Sequence, residues 1–231
     1  MVRAAAACVL AVLALGCAGL PEAGGPQGRM LAPEEAAAAD RIPYRRLRPA
    51  DFGAPQPPAA WRAHADRVGA VTCADLGTRP GTGIRVVEER SGGAMRFRAV
   101  PVLPGFRAWF VRNCSWWNPE LPPARHDYVL EHEQIHLALF EVEARRLDLR
   151  AREIARAARA VAESPELARA AAEERLAAEI RAALGRALER SLRFDRETSG
   201  RLAPAAQERW WRKVTAELEA LAPGTEAPPQ P

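Results

Sequence analysis

In the stretch Leu130-Glu131-His132-Glu133-Gln134-Ile135-His136, two of the chain's four histidines stand four residues apart. On an α-helix, residues i and i+4 lie on one face, so the imidazoles of His132 and His136 can converge on one metal ion. Glu133 follows about 100° further round such a helix. From there its carboxylate can reach an attacking water and take its proton, the general-base role in metal-assisted hydrolysis. On an Ala/Arg/Glu-rich helix the same residues also read as an ordinary polar patch, and the H-E-x-x-H spacing is informative only where a helix carries it.

The elements around the motif must therefore supply that helix and a third ligand. Asp127 suits an N-cap, and from Tyr128 to about Glu163 nothing in the sequence breaks a helix; Leu130, Leu137, Phe140, Leu147, Ile154 and Val161 give it an apolar stripe. Ser164-Pro165 stops it and starts another over about Glu166 to Phe194, with serine as cap and proline at the first position. If the two helices fold back about Ser164, facing residues carry numbers that sum to about 328. His132 then faces the neighbourhood of Arg196 and His136 that of Leu192. The cluster Phe194-Asp195-Arg196-Glu197-Thr198 lies across from the motif, and a site with three protein ligands and one open position can draw on Asp195 first or Glu197 second.

Other carboxylates and histidines fit less well. Glu141 lies about 180° round the helix from His132, and Glu143 is about 10 Å along the axis from His136. His126 precedes the predicted helix and needs a loop to swing it in, while His64 is isolated and reads as a surface or packing residue. Arg196 and Tyr128 are near enough in sequence to help with an oxyanion, although an exposed arginine and a packed tyrosine are the simpler readings.

Upstream, the texture is β. Ala70 to Leu76, Gly83 to Arg90, Ala94 to Val100 and Phe106 to Cys114 read as strands, with Ser91-Gly92-Gly93 as a hairpin turn. One small antiparallel sheet results, and the motif helix is the natural cover for its apolar face. Trp116 and Trp117 at the junction read as core. A last helix over about Pro204 to Leu221 carries Trp210 and Trp211, and the expectation is one domain over 41–221 with a disordered tail over 222–231.

The chain opens with Met1-Val2-Arg3, an apolar run from Ala4 to Leu15, and Gly16-Cys17. This is the pattern of a secretory signal peptide over 1–17 whose end resembles a lipoprotein box, with Cys17 the lipidation site and a flexible Gly/Pro/Ala tether over 18–40. With Cys8 in the leader, Cys73 and Cys114 are the pair left to the mature domain, and outside the cytoplasm such a pair forms a disulfide. The net charge of +4 rests on arginines interleaved with glutamates rather than gathered in a stripe, which argues against a nucleic-acid partner.

His132-Glu133-Gln134-Ile135-His136 and Glu141, after a β-rich region with tryptophans and cysteines and before Phe194-Asp195-Arg196-Glu197-Thr198, Gln207 and Trp210, together resemble the bacterial family named domain of unknown function 922, secreted zinc-dependent proteases. The likeness spans about Tyr44 to Leu221. It implies a zincin-type helix holding Zn2+, with Asp195 as the downstream position that carries over. The chain departs from the family at Phe194, where the pattern has tyrosine, and in Thr198-Ser199-Gly200-Arg201, which lacks its histidine.

The expectation is thus an α+β fold in which a small antiparallel sheet packs on the motif helix, followed by an antiparallel helical hairpin and a C-terminal helix. The expected function is a zinc peptidase or amide hydrolase of the bacterial cell envelope, exported, held to the membrane by lipid at Cys17 and acting on a protein or peptide. The alternative is a non-catalytic envelope lipoprotein, a binding or scaffolding module whose metal site is structural or vestigial. Glu133 separates the two, since hydrolysis needs it and a structural site does not. A membrane-surface helix bundle is the weakest reading, because no helix sets a basic face against a broad apolar one.

Overall fold

The computed structural model describes residues 7–9, 40–91, 93–198 and 202–222. The rest of the expected leader with Cys17, the tether up to 39 and the tail from 223 lie outside the described residues.

The fold is α+β. The first sheet is antiparallel and contains β1 (Ala7–Val9), β2 (Arg41–Pro43), β3 (Ala70–Thr78), β6 (Phe106–Val111) and the short β7 (Trp116–Trp117). Its order is β1-β3-β6-β2, with β7 continuing on β3. Strand β3 is buried along nearly its whole length, and the Cys73–Cys114 disulfide ties it to the end of β6, with 5.7 Å between the Cα atoms. That pairing is the one expected from the cysteine count.

The hairpin does not join this sheet. Strands β4 (Gly83–Ser91) and β5 (Ala94–Val102) pair with each other in full register and take β8 (Ala160–Ala162) as a third strand, so the single expected sheet is two. Ile84, Val86, Phe97 and Ala99 pack on Ala168 and Ala172, which gives the hairpin its own apolar cover and removes any need to lie beside β3.

The motif helix, α1, runs His126–Leu149. Asp127 lies in its first turn rather than at the cap; the preceding residue is Arg125. The helix also ends earlier than its sequence suggests. Arg150 turns back, its N–H bonding to the Leu147 carbonyl, and a short α2 (Ala151–Ala157) precedes β8. Two tertiary interactions override a good helical sequence here. Asp148 accepts from Phe106 N–H at 2.5 Å and from Arg79 Nη2 at 2.6 Å, against Gly105, whose φ of +143° and lack of a Cβ permit that approach. Ala160 to Ala162 then exchange helical bonds for pairing with β5, leaving Val161 exposed instead of in the apolar stripe.

Helix α3 (Pro165–Thr198) begins at the expected place, with Leu167 N–H donating to Ser164 Oγ at 3.2 Å. Its buried residues recur about every fourth position from Ala168 through Leu176 and Ala187 to Asp195 and Thr198. Pairs between α1 and α3 show the antiparallel register: Arg150 with Glu179, Glu143 with Arg186, His132 with Asp195. Helix α4 (Pro204–Ala220) lies alongside α1 in the parallel sense, Gln207 meeting Glu131 and Glu217 meeting Arg146. Helix α1 is therefore enclosed, and from His132 to Phe140 every residue is buried. Leu137 and Phe140 enter the core shared with Leu76, Phe106 and Phe110. Ile135, Leu139 and Val142 enter a second one with Phe194, Trp210 and Val214. Trp116 packs with Trp61, Val68 and Val71, a core role as its position suggested.

Candidate metal centre

One turn of α1 and the last turn of α3 bring three ligand-bearing side chains together. His132 Nε2 and His136 Nε2 lie 3.2 Å apart. Asp195 Oδ1 is 3.3 Å from the first and 3.1 Å from the second. Among the described residues this is the group of histidine, cysteine and carboxylate side chains whose ligand atoms all fall close enough to share one ion. All three residues are buried. Burial by itself raises the Asp195 carboxyl, but the two imidazoles beside it act together in the other direction and hold it below its ordinary value.

Glu133 extends from the same turn toward Thr72 on β3. It is fully buried, and neither carboxylate oxygen has a well-formed hydrogen bond; the Thr72 hydroxyl beside it is also without one. Burial pushes its pKa to about 7, against the pull of the His132 charge and of Thr72. A buried carboxylate with two orphaned oxygens is costly unless something polar fills the space beside it. A bound metal ion and its water would give those oxygens a partner, so the donor set and the orphaned base point the same way.

Phe194 forms the wall, its ring 4.4 Å from that of His132 and 5.1 Å from that of His136, with Trp210 edge-to-face behind it at 5.6 Å. This apolar backing lowers the local dielectric and strengthens any charge interaction at the site. Behind His132, Gln207 Oε1 lies 3.3 Å from Nδ1, and the Gln207 amide nitrogen donates to the Tyr128 carbonyl and to Glu131 Oε1, each at 3.0 Å.

The other carboxylates and histidines considered from sequence are occupied elsewhere. Glu197, the second choice for third ligand, accepts from Trp210 Nε1 at 2.7 Å. Glu141 faces β6, taking the Ala108 N–H and Arg145, and Glu143 sits among arginines further along α1. His126 Nε2 is 3.0 Å from the Leu121 carbonyl, and His64 is half-buried in a separate turn. Arg196 is exposed, as the simpler reading had it, and the Tyr128 hydroxyl accepts the Ala203 N–H.

Neither Thr72 beside Glu133 nor the contact of Gln207 with His132 follows from the spacing of the motif. Gln207 carries a readable signal, because it falls in the stripe Ala206, Gln207, Trp210, Val214 that α4 buries, and a polar residue in such a stripe needs a partner. A surface cavity of about 410 Å3, lined by Trp116, Asn118 and Arg125 among others, contains none of these side chains. Among the described residues, no helix is long and apolar enough to cross a membrane.

Comparison with family models, curated proteins and solved structures finds no match to this chain.

Proposed function

We propose that this protein is a zinc-dependent hydrolase of peptide or amide bonds in the bacterial cell envelope. The observation that carries the reading is Glu133, a fully buried carboxylate with no well-formed hydrogen bond, placed one residue from His132 beside the His132/His136/Asp195 group. Zinc suits the donors: a tetrahedral ion with bonds of about 2.0–2.1 Å separates its ligand atoms by about 3.3–3.4 Å, and the three donor atoms are 3.1 to 3.3 Å apart. Two neutral imidazoles and one carboxylate leave one position open and a single net positive charge at the ion, a set used for hydrolysis.

When bound there, zinc supplies Lewis acidity to a water and to the carbonyl under attack. Glu133 accepts the water's proton and returns it to the departing amine. In the metal-free chain burial raises its pKa to about 7, the direction that suits a group which both takes and returns a proton. The resemblance to the secreted protease family and the leader-like first 17 residues ending in Cys17 support export and lipid anchoring.

The test is hydrolysis of an unfolded polypeptide such as reduced casein by the zinc-loaded protein and by Glu133→Gln. The expected result is unchanged zinc content with turnover reduced by about 10²- to 10⁴-fold. A second reading, the envelope scaffold with a structural metal, draws on the complete burial of His132, Glu133 and His136, since structural sites are closed. Zinc retained in both proteins with no cleavage by either would decide for that reading.

A further inference from the structure

We infer that Gln207, from the C-terminal helix, fixes the tautomer of His132, keeping the proton on Nδ1 so that Nε2 presents its lone pair to the metal. The inference depends on the proposed metal site for its purpose, but its geometry stands on the chain's own atoms.

Gln207 is buried and has two partners besides His132: the Tyr128 carbonyl and Glu131 Oε1, both at 3.0 Å. Both are acceptors, so only the NH2 end of the amide can face them. The carbonyl end must then face His132 Nδ1, at 3.3 Å. A carbonyl oxygen cannot donate, so Nδ1 carries the hydrogen and donates to Oε1.

On the other side of the ring, Asp195 Oδ1 also lies 3.3 Å from His132 Nε2, a contact that a neutral His132 with its hydrogen on Nδ1 leaves without a hydrogen. Asp195 is nearer to His136 Nε2, at 3.1 Å, than to His132 Nε2. His136 Nδ1 has no partner, so its hydrogen is best placed on Nε2, directed at Asp195. His132 Nε2, 3.2 Å from His136 Nε2, is then left as an acceptor. In the metal-free site one histidine is thus already in the ligating tautomer, while the other must move its proton before it can bind.

Glu131 gives the arrangement direction. Its carboxylate receives one amide hydrogen of Gln207, which polarises the amide and makes Oε1 a better acceptor for the imidazole N–H. A chain runs from Glu131 on one face of α1, through Gln207 on α4, back to His132 on α1. Orientation of a metal-binding histidine through its second nitrogen is worth about 10- to 100-fold in metal affinity. Gln207 is a positioning residue on this account: it touches neither substrate nor metal.

The experiment reads the tautomer directly. Two-bond proton–nitrogen correlation spectra of the metal-free, nitrogen-15-labelled full chain distinguish Nδ1–H from Nε2–H in imidazoles held neutral by alkaline pH, with the His132 signal assigned by its loss in His132→Asn. The expected wild-type pattern is Nδ1–H at His132. Gln207→Met should release the ring to protonate at either nitrogen and weaken zinc, measured by chelator competition, by about 10- to 100-fold. Glu131→Gln keeps an acceptor oxygen for the Gln207 NH2 but removes the charge, so it should keep Nδ1–H at His132 and lose less zinc affinity than Gln207→Met; if Gln207→Met does not fold, the wild-type tautomer spectrum decides. Nε2–H at wild-type His132, or a folded Gln207→Met protein with wild-type zinc affinity, overturns the inference. If the wild-type chain takes up no zinc, the metal reading fails separately and the tautomer spectrum alone decides this one.

Discussion

His132 Nε2 and Asp195 Oδ1 stand 3.3 Å apart across 63 residues of sequence. Neither residue's local helix determines that distance; the antiparallel register of α1 on α3 does. If the pair with His136 is a metal site, removing either end removes the ion. Elemental mass spectrometry should find about one zinc per chain in the wild type, none in His132→Ala and much less in Asp195→Ala. Glu197→Gln should keep its zinc, because that carboxylate belongs to Trp210. Bound zinc at about 100 times its dissociation constant should add about 2.7 kcal/mol of stability, visible as a rise in Tm that a chelator reverses.

Glu133 gives the second expected outcome. A buried carboxylate without a partner lowers stability, and function is the reason to retain one. In the metal-free protein at mildly alkaline pH, Glu133→Gln should therefore raise the free energy of unfolding by about 1–2 kcal/mol, measured by urea titration, even as it slows hydrolysis by the zinc-loaded protein. A loss of stability on that substitution would show that the carboxylate is satisfied in solution and would weaken its assignment as the base.

The site was more legible in the sequence than the framework around it. The four-residue spacing of His132 and His136 and the chain reversal at Ser164 are local facts, and together they place the cluster Phe194 to Thr198, with Asp195 and Glu197 in it, opposite the motif without tertiary information. The end of α1 at Leu149 was not legible, because Arg150 to Glu163 is a good helical sequence and the forces that break it, Asp148 on Phe106 and β8 on β5, come from distant residues. The separation of the β4–β5 hairpin from β3 was hidden for the same reason. Its cover is a pair of alanines on α3, Ala168 and Ala172, which no alternation pattern in the strands reveals. Thr72 lies on a strand buried on both faces, where periodicity says nothing about which side chain meets Glu133.

Glu143 holds the same register further along α1. Its side chain is fully buried and takes Arg146 Nη1 at 2.6 Å and Arg186 Nε at 2.8 Å, so it bridges α1 and α3. Glu217 on α4 takes the remaining faces of Arg146 and Arg190 at 2.8 and 2.7 Å, but is partly exposed. Breaking a buried ion pair costs several kcal/mol, and an exposed one little. Glu143→Ala should cost about 2–4 kcal/mol, moderated by water reaching the arginines, and Glu217→Ala less, about 1–2 kcal/mol, because its carboxylate is partly solvated while Arg190 is largely buried. Urea unfolding of the two variants measures both. Equal costs would mean that the three-helix network, rather than the buried carboxylate, carries the stabilisation.

Asp75 supplies a pH dependence that is independent of the metal. Its side chain is fully buried on β3, 3.2 Å from Arg41 Nη2, and it accepts the Leu76 N–H at 2.8 Å. Burial outweighs both and pushes its pKa up to about 7, whereas an unfolded chain ionises near the ordinary aspartate value of about 3.9. Between those two values the folded protein holds a proton that the unfolded chain has lost, so this residue's contribution to stability falls as pH rises through the window and is level above it. Asp75→Asn keeps an oxygen for the Leu76 N–H and cannot titrate. The difference in unfolding free energy, wild type minus variant, should therefore decline by an amount on the order of a few kcal/mol from about pH 4 to about pH 7. A difference that stays flat over that range would mean that Arg41 keeps the carboxylate ionised throughout, and that β3 carries a buried ion pair in place of a protonated acid.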